Sequence, residues 1–292
     1  MNRPVVVGVD GSPPSLVAAE QAAQAATLRS RPLHLVHGYL HPLGYGVPVN
    51  PYDLGVPAPS EDGRKMLDRT ADELRDRWPG LVVEARQVAG GPGATLVEES
   101  HRAELVVVGS RGLGGFTGLL LGSVSAQVAG HAHCPVLVVR PGEPTARTGP
   151  VLVGVDGSES AELAVEHAAD EAVRRGSPLV LAHVWSASGN RPAAEEFVEA
   201  EAAFRVAAVR LLAEAAQAVR ARHPGLTVEE RAVRAVEPAE ALVAASAEAS
   251  LVVVGSRGRG GFVGLLLGSV SQALAQHARC PVLVARPHAH TG

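Results

Sequence analysis

Laid over itself at an offset of 146 residues, the chain matches from one half to the other. Asp10 in "VVVGVDGS" falls on Asp156 in "VLVGVDGS". His37, Gly109, Gly122, His131 and Pro135 fall on His183, Gly255, Gly268, His277 and Pro281. Stacked short repeats have periods of about 20–50 residues, so an offset this long marks a duplicated domain. Each copy must therefore close its own core within half of a 292-residue chain, which is an ordinary domain size. The expected domains are 1–141 and 150–287. "PGEPTARTG" lies between them as a linker, punctuated by Pro and Gly and without apolar periodicity.

Within one copy, strand and helix signals alternate. "PVVVGVD", "PLHLVHG", "LVVEARQV", "ELVVVGS" and "PVLVVR" read as five strands. Several are apolar throughout, the mark of parallel strands covered on both faces. Ser12 is placed to cap a helix whose first residue is Pro13. Further helical segments are expected near 61–78 and 92–102, and a short one at "SVSAQVAGHA". The fold class is α/β: two tandem Rossmann-like, doubly wound domains, each with a five-stranded parallel sheet flanked by helices. The halves differ most after the second strand, where "YLHPLGYGVPVNPYDLGVPAPSEDG" is replaced by "WSASGNRPAAEEFVEAEAAFRV".

Between the fourth strand and the short helix runs "GSRGLGGFTGLLLGSVS", repeated as "GSRGRGGFVGLLLGSVS". This loop leaves the carboxyl edge of the sheet, where open α/β sheets bind ligands, and ends at a helix start. A helix N-terminus offers unpaired N–H groups and a positive dipole end, so it attracts anions. Gly109 and Gly112, with Gly255 and Gly258, would let the backbone approach a phosphate. Gly122-Ser123 and Gly268-Ser269 would add amides and a hydroxyl. Lys65 is the only lysine and no Walker motif occurs. Hydrogen bonds to a charged group are worth about 1.5–3 kcal/mol each. Four or five would give roughly 6–15 kcal/mol gross, against about 8 net for a micromolar complex. Lysine is dispensable for binding. Around Gly112 the chain also reads Gly-x-Gly-x-x-Thr, but in the wrong βα turn for a dinucleotide fingerprint.

Composition narrows the function classes. A net charge of −4 with pI near 6.3 lacks the basic excess of a nucleic-acid-binding face. Cys134 and Cys280 are too few for a disulfide framework. "MNRPVVVGVD" enters a strand at once, without the pattern of a secretory leader, and no apolar stretch is long enough to span a bilayer. A cytoplasmic protein with no membrane association is expected.

The spacing Gly109-x-x-Gly112, nine residues, then Gly122-Ser123 resembles the G-2x-G-9x-G-(S/T) motif of the ATP-binding universal stress proteins. Gly255, Gly258, Gly268 and Ser269 repeat it. "GVDGS" after the first strand and "HAHCPVLVVR" or "HARCPVLVAR" at the fifth also look like that family, over nearly the whole chain. The resemblance implies ATP as ligand, with Mg²⁺, and a strand order of 3-2-1-4-5. It places Asp10 and Asp156 against the ribose or the metal, and Val9 and Val155 beside the adenine. Gly38 and Val184 also fall by the base, although they do not match each other. Val108, Val124, Val254 and Val270 flank the glycine motif. The family often pairs domains through their fifth strands, which implies pairing within the chain and a homodimer.

Each choice has a plainer alternative. Asp10 and Asp156 would equally stabilise a turn. Arg111 and Arg257 either reach phosphates or are solvated. His131, His133 and Cys134 resemble a metal cluster, but the second copy reads His277, Arg279, Cys280, so no metal ligands are assigned. His131 and His277 fit helix C-termini instead. Leu119–Leu121 and Leu265–Leu267 would pack over a pocket or a neighbour. No catalytic residues are assigned. The expected function is an adenine-nucleotide-binding stress or regulatory switch with one site per domain. The alternatives are a slow ATPase or nucleotidyl transferase, and a nucleotide-independent interaction module.

Overall fold

The computed structural model describes residues 3–39, 60–112, 121–140, 148–185, 194–258 and 266–288, the side chains of 194–200 apart. Residues 40–59 and 186–193 of the divergent stretches, residues 141–147 of the linker, and Leu119, Leu120 and Leu265 lie outside the described residues. The chain divides into two compact units, one of Met1–Thr145 with Pro287–Gly292 and the other of Ala146–Arg286.

In the first unit the order is β1 (Val5–Gly8), α1 (Pro13–Arg29), β2 (Leu33–Tyr39), α2 (Glu61–Arg77), β3 (Val83–Ala89), α3 (Pro92–Glu99), β4 (Leu105–Gly109), α4 (Ser123–His131), β5 (Val136–Val139). The second repeats it as β6 (Val151–Gly154), α5 (Glu159–Arg175), β7 (Leu179–Trp185), α6 (Ala194–Arg222), β8 (Val228–Arg234), α7 (Pro238–Ala245), β9 (Leu251–Gly255), α8 (Ser269–His277), β10 (Val282–Ala285). The strands lie in the orders β3-β2-β1-β4-β5 and β8-β7-β6-β9-β10, all parallel within each unit. Strand order therefore reverses between β1 and β4, and between β6 and β9. In an open parallel sheet that switch point leaves a crevice at the carboxyl edge.

The central strands are the apolar runs seen in the sequence. Val5, Val6, Val7, Val106 and Val107 are fully buried, as are Val151, Val153, Val252 and Val253, because helices cover both faces of the sheet. The outer strands β3 and β8 carry Glu and Arg instead, which discourages edge pairing. Ser12 Oγ accepts from Ser15 N–H at 3.3 Å, and Ser158 Oγ accepts from Ala161 N–H at 3.2 Å. Both serines cap their helices. α1 and α5 lay alanine stripes on the sheet, Ala18, Ala22 and Ala26 in the first, Ala164, Ala168 and Ala172 in the second. Small side chains bring these helices close to the strands.

α3 stops at Glu99, short of residue 102. Ser100 ends it by donating its hydroxyl to Val97 O at 2.5 Å and accepting from His133 N–H at 2.8 Å. Ser246 does the same in the second unit with Val243 O and Arg279 N–H. α6 is the 29-residue helix that replaces the 17-residue α2, following the change of character in the sequence. Among the described residues no helix is long and apolar enough to cross a membrane.

His34 on β2 stands opposite Glu84 on β3 in the parallel register. Burial lowers its pKa below the usual 6.5, outweighing the opposing pull of Glu84. Its Nδ1 has no hydrogen-bond partner among the described residues. The neutral ring is thus the folded form, while the unfolded chain takes up its proton first as pH falls. The stability this residue allows is present above the unfolded pKa and is lost as pH drops through 6.5 toward the lower folded value. Val180 holds the corresponding place in the second unit. His34→Val is expected to flatten the decline in urea midpoint between neutral pH and about pH 5; an unchanged pH slope would refute this assignment.

Candidate functional site

The crevice at the switch point is built from two turns, one after the first strand of each unit and one after the fourth. Asp10 follows β1 in a turn that needs Gly11 at φ 81°, and Asp156 follows β6 with Gly157 at φ 75°; L side chains rarely enter that region. Asp10 Oδ1 accepts from Ser12 N–H (3.0 Å) and Ser12 O–H (2.5 Å). Asp156 Oδ1 accepts from Ser158 N–H (3.0 Å) and O–H (2.6 Å). One oxygen of each carboxylate thus fixes the turn. The other, Oδ2, faces the glycine motif: a Cβ placed on Gly112 would sit 2.6 Å from Asp10 Oδ2, and one on Gly258 would clash with Asp156 Oδ2.

The remaining motif glycines have separate reasons. A Cβ on Gly109 would lie 2.9 Å from Pro14 O, and one on Gly255 would lie 2.6 Å from Ser160 O. Here glycine admits the first turn of α1 or α5 against the strand end, a packing role beyond the approach to phosphate expected from the sequence. Gly122 N–H donates to Ser110 O (2.7 Å) and Gly268 N–H to Ser256 O (2.8 Å), which closes each loop at its base. Ser125 Oγ then donates to Gly109 O, and Ser271 Oγ to Gly255 O, both at 2.6 Å. Sequence reasoning passed over these two serines. Their signal was present in the repeated Ser-Val-Ser after the last glycine.

No side chain caps α4 or α8, whose N-cap residues are Gly122 and Gly268. The first in-helix bonds are Ala126 N–H to Gly122 O and Gln272 N–H to Gly268 O. The amides of Ser123, Val124 and Ser125, and of Ser269, Val270 and Ser271, therefore precede the helical ladder, and in the second unit these three residues line the crevice. α1 and α5 contrast with them, since Ser12 and Ser158 fill that role there.

In the second unit these elements enclose a cavity of about 460 Å³, within the usual range for small-molecule sites. All ten positions singled out in this half line it. The motif residues Gly255, Arg257, Gly258, Gly268, Ser269 and Val270 line it beside Asp156, whose Oδ2 faces Gly258. Val155, Val184 and Val254 line it too, with His183, Pro238 and Leu242. Leu267 also lines the cavity and is 6% exposed, whereas Leu266 is 46% exposed. The run of leucines is thus split between pocket and surface. His183 Nδ1 lies 2.6 Å from Val155 O and His37 Nδ1 lies 2.7 Å from Val9 O. A carbonyl only accepts, so Nδ1 carries the proton and Nε2 of the neutral ring is an acceptor.

In the first unit Val9 and Val108 are buried at the strand ends, while Arg111 and Ser123 are exposed at the crevice mouth with Gly112. Val124 follows Ser123 on the first turn of α4. Gly38 departs from this pattern and faces the start of α3. His131 and His277 close α4 and α8 at their C-termini. The His133 ring stacks on His101 with centroids 3.8 Å apart, and Cys134 and Cys280 are buried.

The model of the universal stress protein family matches residues 1–140 and again 148–286. A universal stress protein of Mycobacterium tuberculosis strain H37Rv is 40% identical over 296 residues, covering 97% of this chain and 96% of its own length. Another from Mycolicibacterium smegmatis is 39% identical, covering 97% of each chain. The crystal structure of a universal stress protein from Archaeoglobus fulgidus superposes with a TM-score of 0.71 at 22% identity, over 99% of this chain and 97% of that one. The duplicated α/β unit, the glycine motif in each copy and these full-length matches agree: the chain belongs to the universal stress protein family, as a tandem pair of its domains.

Proposed function

We propose that the protein binds adenine nucleotide, ATP with Mg²⁺, at one crevice in each domain, and acts as a regulatory switch read by its occupancy. One observation carries this reading. Ten positions chosen along the second half of the sequence line one cavity, together with the uncapped start of α8 and several apolar side chains. Such a lining suits a molecule that carries both an anionic group and a flat, weakly polar one.

The residues suit that ligand. Ser269, Val270 and Ser271 at the start of α8 and Arg257 all line the cavity, and their amides and guanidinium would meet the phosphates. Val155, Val184, Pro238 and Leu242 would sandwich the base, and His183 Nε2 offers a hydrogen-bond acceptor at that wall. Among the described residues no three His, Cys, Asp or Glu gather to hold a metal. Mg²⁺ would instead arrive with the phosphates, which it neutralises, and Asp10 or Asp156 would add a carboxylate oxygen. Mg²⁺ is commonly held by one or two carboxylates together with substrate phosphates. Catalysis at the γ-phosphate needs a group that orients water and another that stabilises developing charge. The described lining offers Asp156 and Arg257 for those tasks, and binding itself uses both.

Calorimetric titration of the full chain with MgATP is expected to show binding. Gly112→Ala combined with Gly258→Ala is expected to abolish it, because each new Cβ meets the facing aspartate. Nucleotide at about 100 times a site's Kd should add about 2.7 kcal/mol of stability to the domain that holds that site in the unaltered chain, and nothing to the double variant. Heat evolution that persists undiminished in that variant would refute the reading. Ser271→Ala removes the tie between the loop start and α8. It is expected to weaken MgATP binding several-fold, at a folding cost of about 1 kcal/mol, measured by titration and urea unfolding together.

A further inference from the structure

The two crevices share one phosphate end and differ at the other. Asp10 with Gly112 and Asp156 with Gly258 stand in the same relation, and both helix starts are closed by the same serine tie. The wall opposite is rearranged. β7 presents Ala182 and then Val184 on the face toward α7, and both line the cavity with Pro238. At the matching places β2 carries Val36 and then Gly38. Side-chain bulk has moved one step down the strand, from the wall to the floor.

α3 has followed it inward. A Cβ on Gly38 would lie 2.8 Å from Pro92 Cα and 3.2 Å from Pro92 N, so backbone now occupies the space that Val184 fills in the other unit. The next contact agrees. A Cβ on Gly8 would lie 2.6 Å from Leu96 Cδ1, against 3.2 Å from Leu242 Cδ1 for the equivalent Gly154. In the first unit the space beside β2 and β1 is thus taken up by the backbone of Pro92 at one level and by the Leu96 side chain at the next. A phosphate tail held at the helix start would set the base against this wall, where Ala182, Val184 and Pro238 line the cavity of the second unit.

We propose that the two sites are unequal by construction: the second domain holds the purine nucleotide tightly, and the first, narrowed by Val36, Pro92 and Leu96, holds it weakly through the phosphate end. Gly38 is then the specificity-determining position, because its missing side chain permits α3 to close in. This inference rests on the nucleotide-binding reading above. Hydrophobic pockets misfitted by a methylene or so discriminate by about 10–200-fold, so the dissociation constants are expected to differ by about tenfold or more.

The test is calorimetric titration of the full chain with MgATP. Two classes of site, one nucleotide each, are expected. Gly258→Ala should remove the tight class and leave the weak one, and Gly112→Ala the reverse. Transplanting the first-domain pair with Ala182→Val and Val184→Gly should weaken the tight class by about tenfold. Should a variant fail to fold, photolabelling of the unaltered chain with substoichiometric 8-azido-ATP decides the matter, with label expected on peptides from 148–286. Two equal sites, label divided evenly between the halves, or loss of the tight class in Gly112→Ala would overturn the inference and leave nucleotide binding standing. Absence of any MgATP binding or labelling would overturn both.

Discussion

The reversal of strand order beside β1 and β6 is the constraint from which the rest follows. From β1 the chain builds outward through β2 to β3, then returns to the other side of β1 for β4 and β5. Connections above neighbouring β1 and β4 consequently depart in opposite directions, which leaves a gap between them. Into that gap come the aspartate turn from one strand and the glycine motif from the other. The first turn of α1 forms its base, near enough to Gly109 that a methyl group there would strike Pro14 O. The crevice is a by-product of winding a parallel sheet in two directions.

The aspartate couples the two sides of the gap. Its Oδ1 holds the serine that caps the following helix, so carboxylate, turn and helix start form one unit. Its Oδ2 is thereby aimed across the gap at the second motif glycine. The turn is held through Oδ1, and the ligand role proposed for this residue would fall to Oδ2.

Much of this was legible in the sequence. β-branched runs without polar interruption marked the buried strands, and Ser12 before Pro13 marked the start of α1. The offset of 146 residues made each observation twice. Site positions could be chosen because glycine spacing and an Asp-Gly-Ser turn are local patterns. What escaped was whatever depends on distance through space. Nothing along the chain shows that Gly109 is glycine to admit a helix backbone, or that Ser125 and Ser271 tie a loop to its own start. The shift of bulk from position 38 to position 36 is visible in a self-alignment. Its effect on α3 is not, since that depends on how far a helix settles when a side chain is withdrawn. The truncated α3 also escaped, because Ser100 ends it through a partner, His133, far along the chain.

The uncapped starts of α4 and α8 have a chemical consequence for any anion seated there. Main-chain amides cannot be acylated, alkylated or deprotonated under physiological conditions, and their donor strength does not change with acidity. Lys65, the single lysine, lies on the surface of α2 beside Glu61. Acetylation and other amine-directed modifications therefore have no purchase on such a grip. Control over occupancy would fall to nucleotide supply and to the shape of the base end.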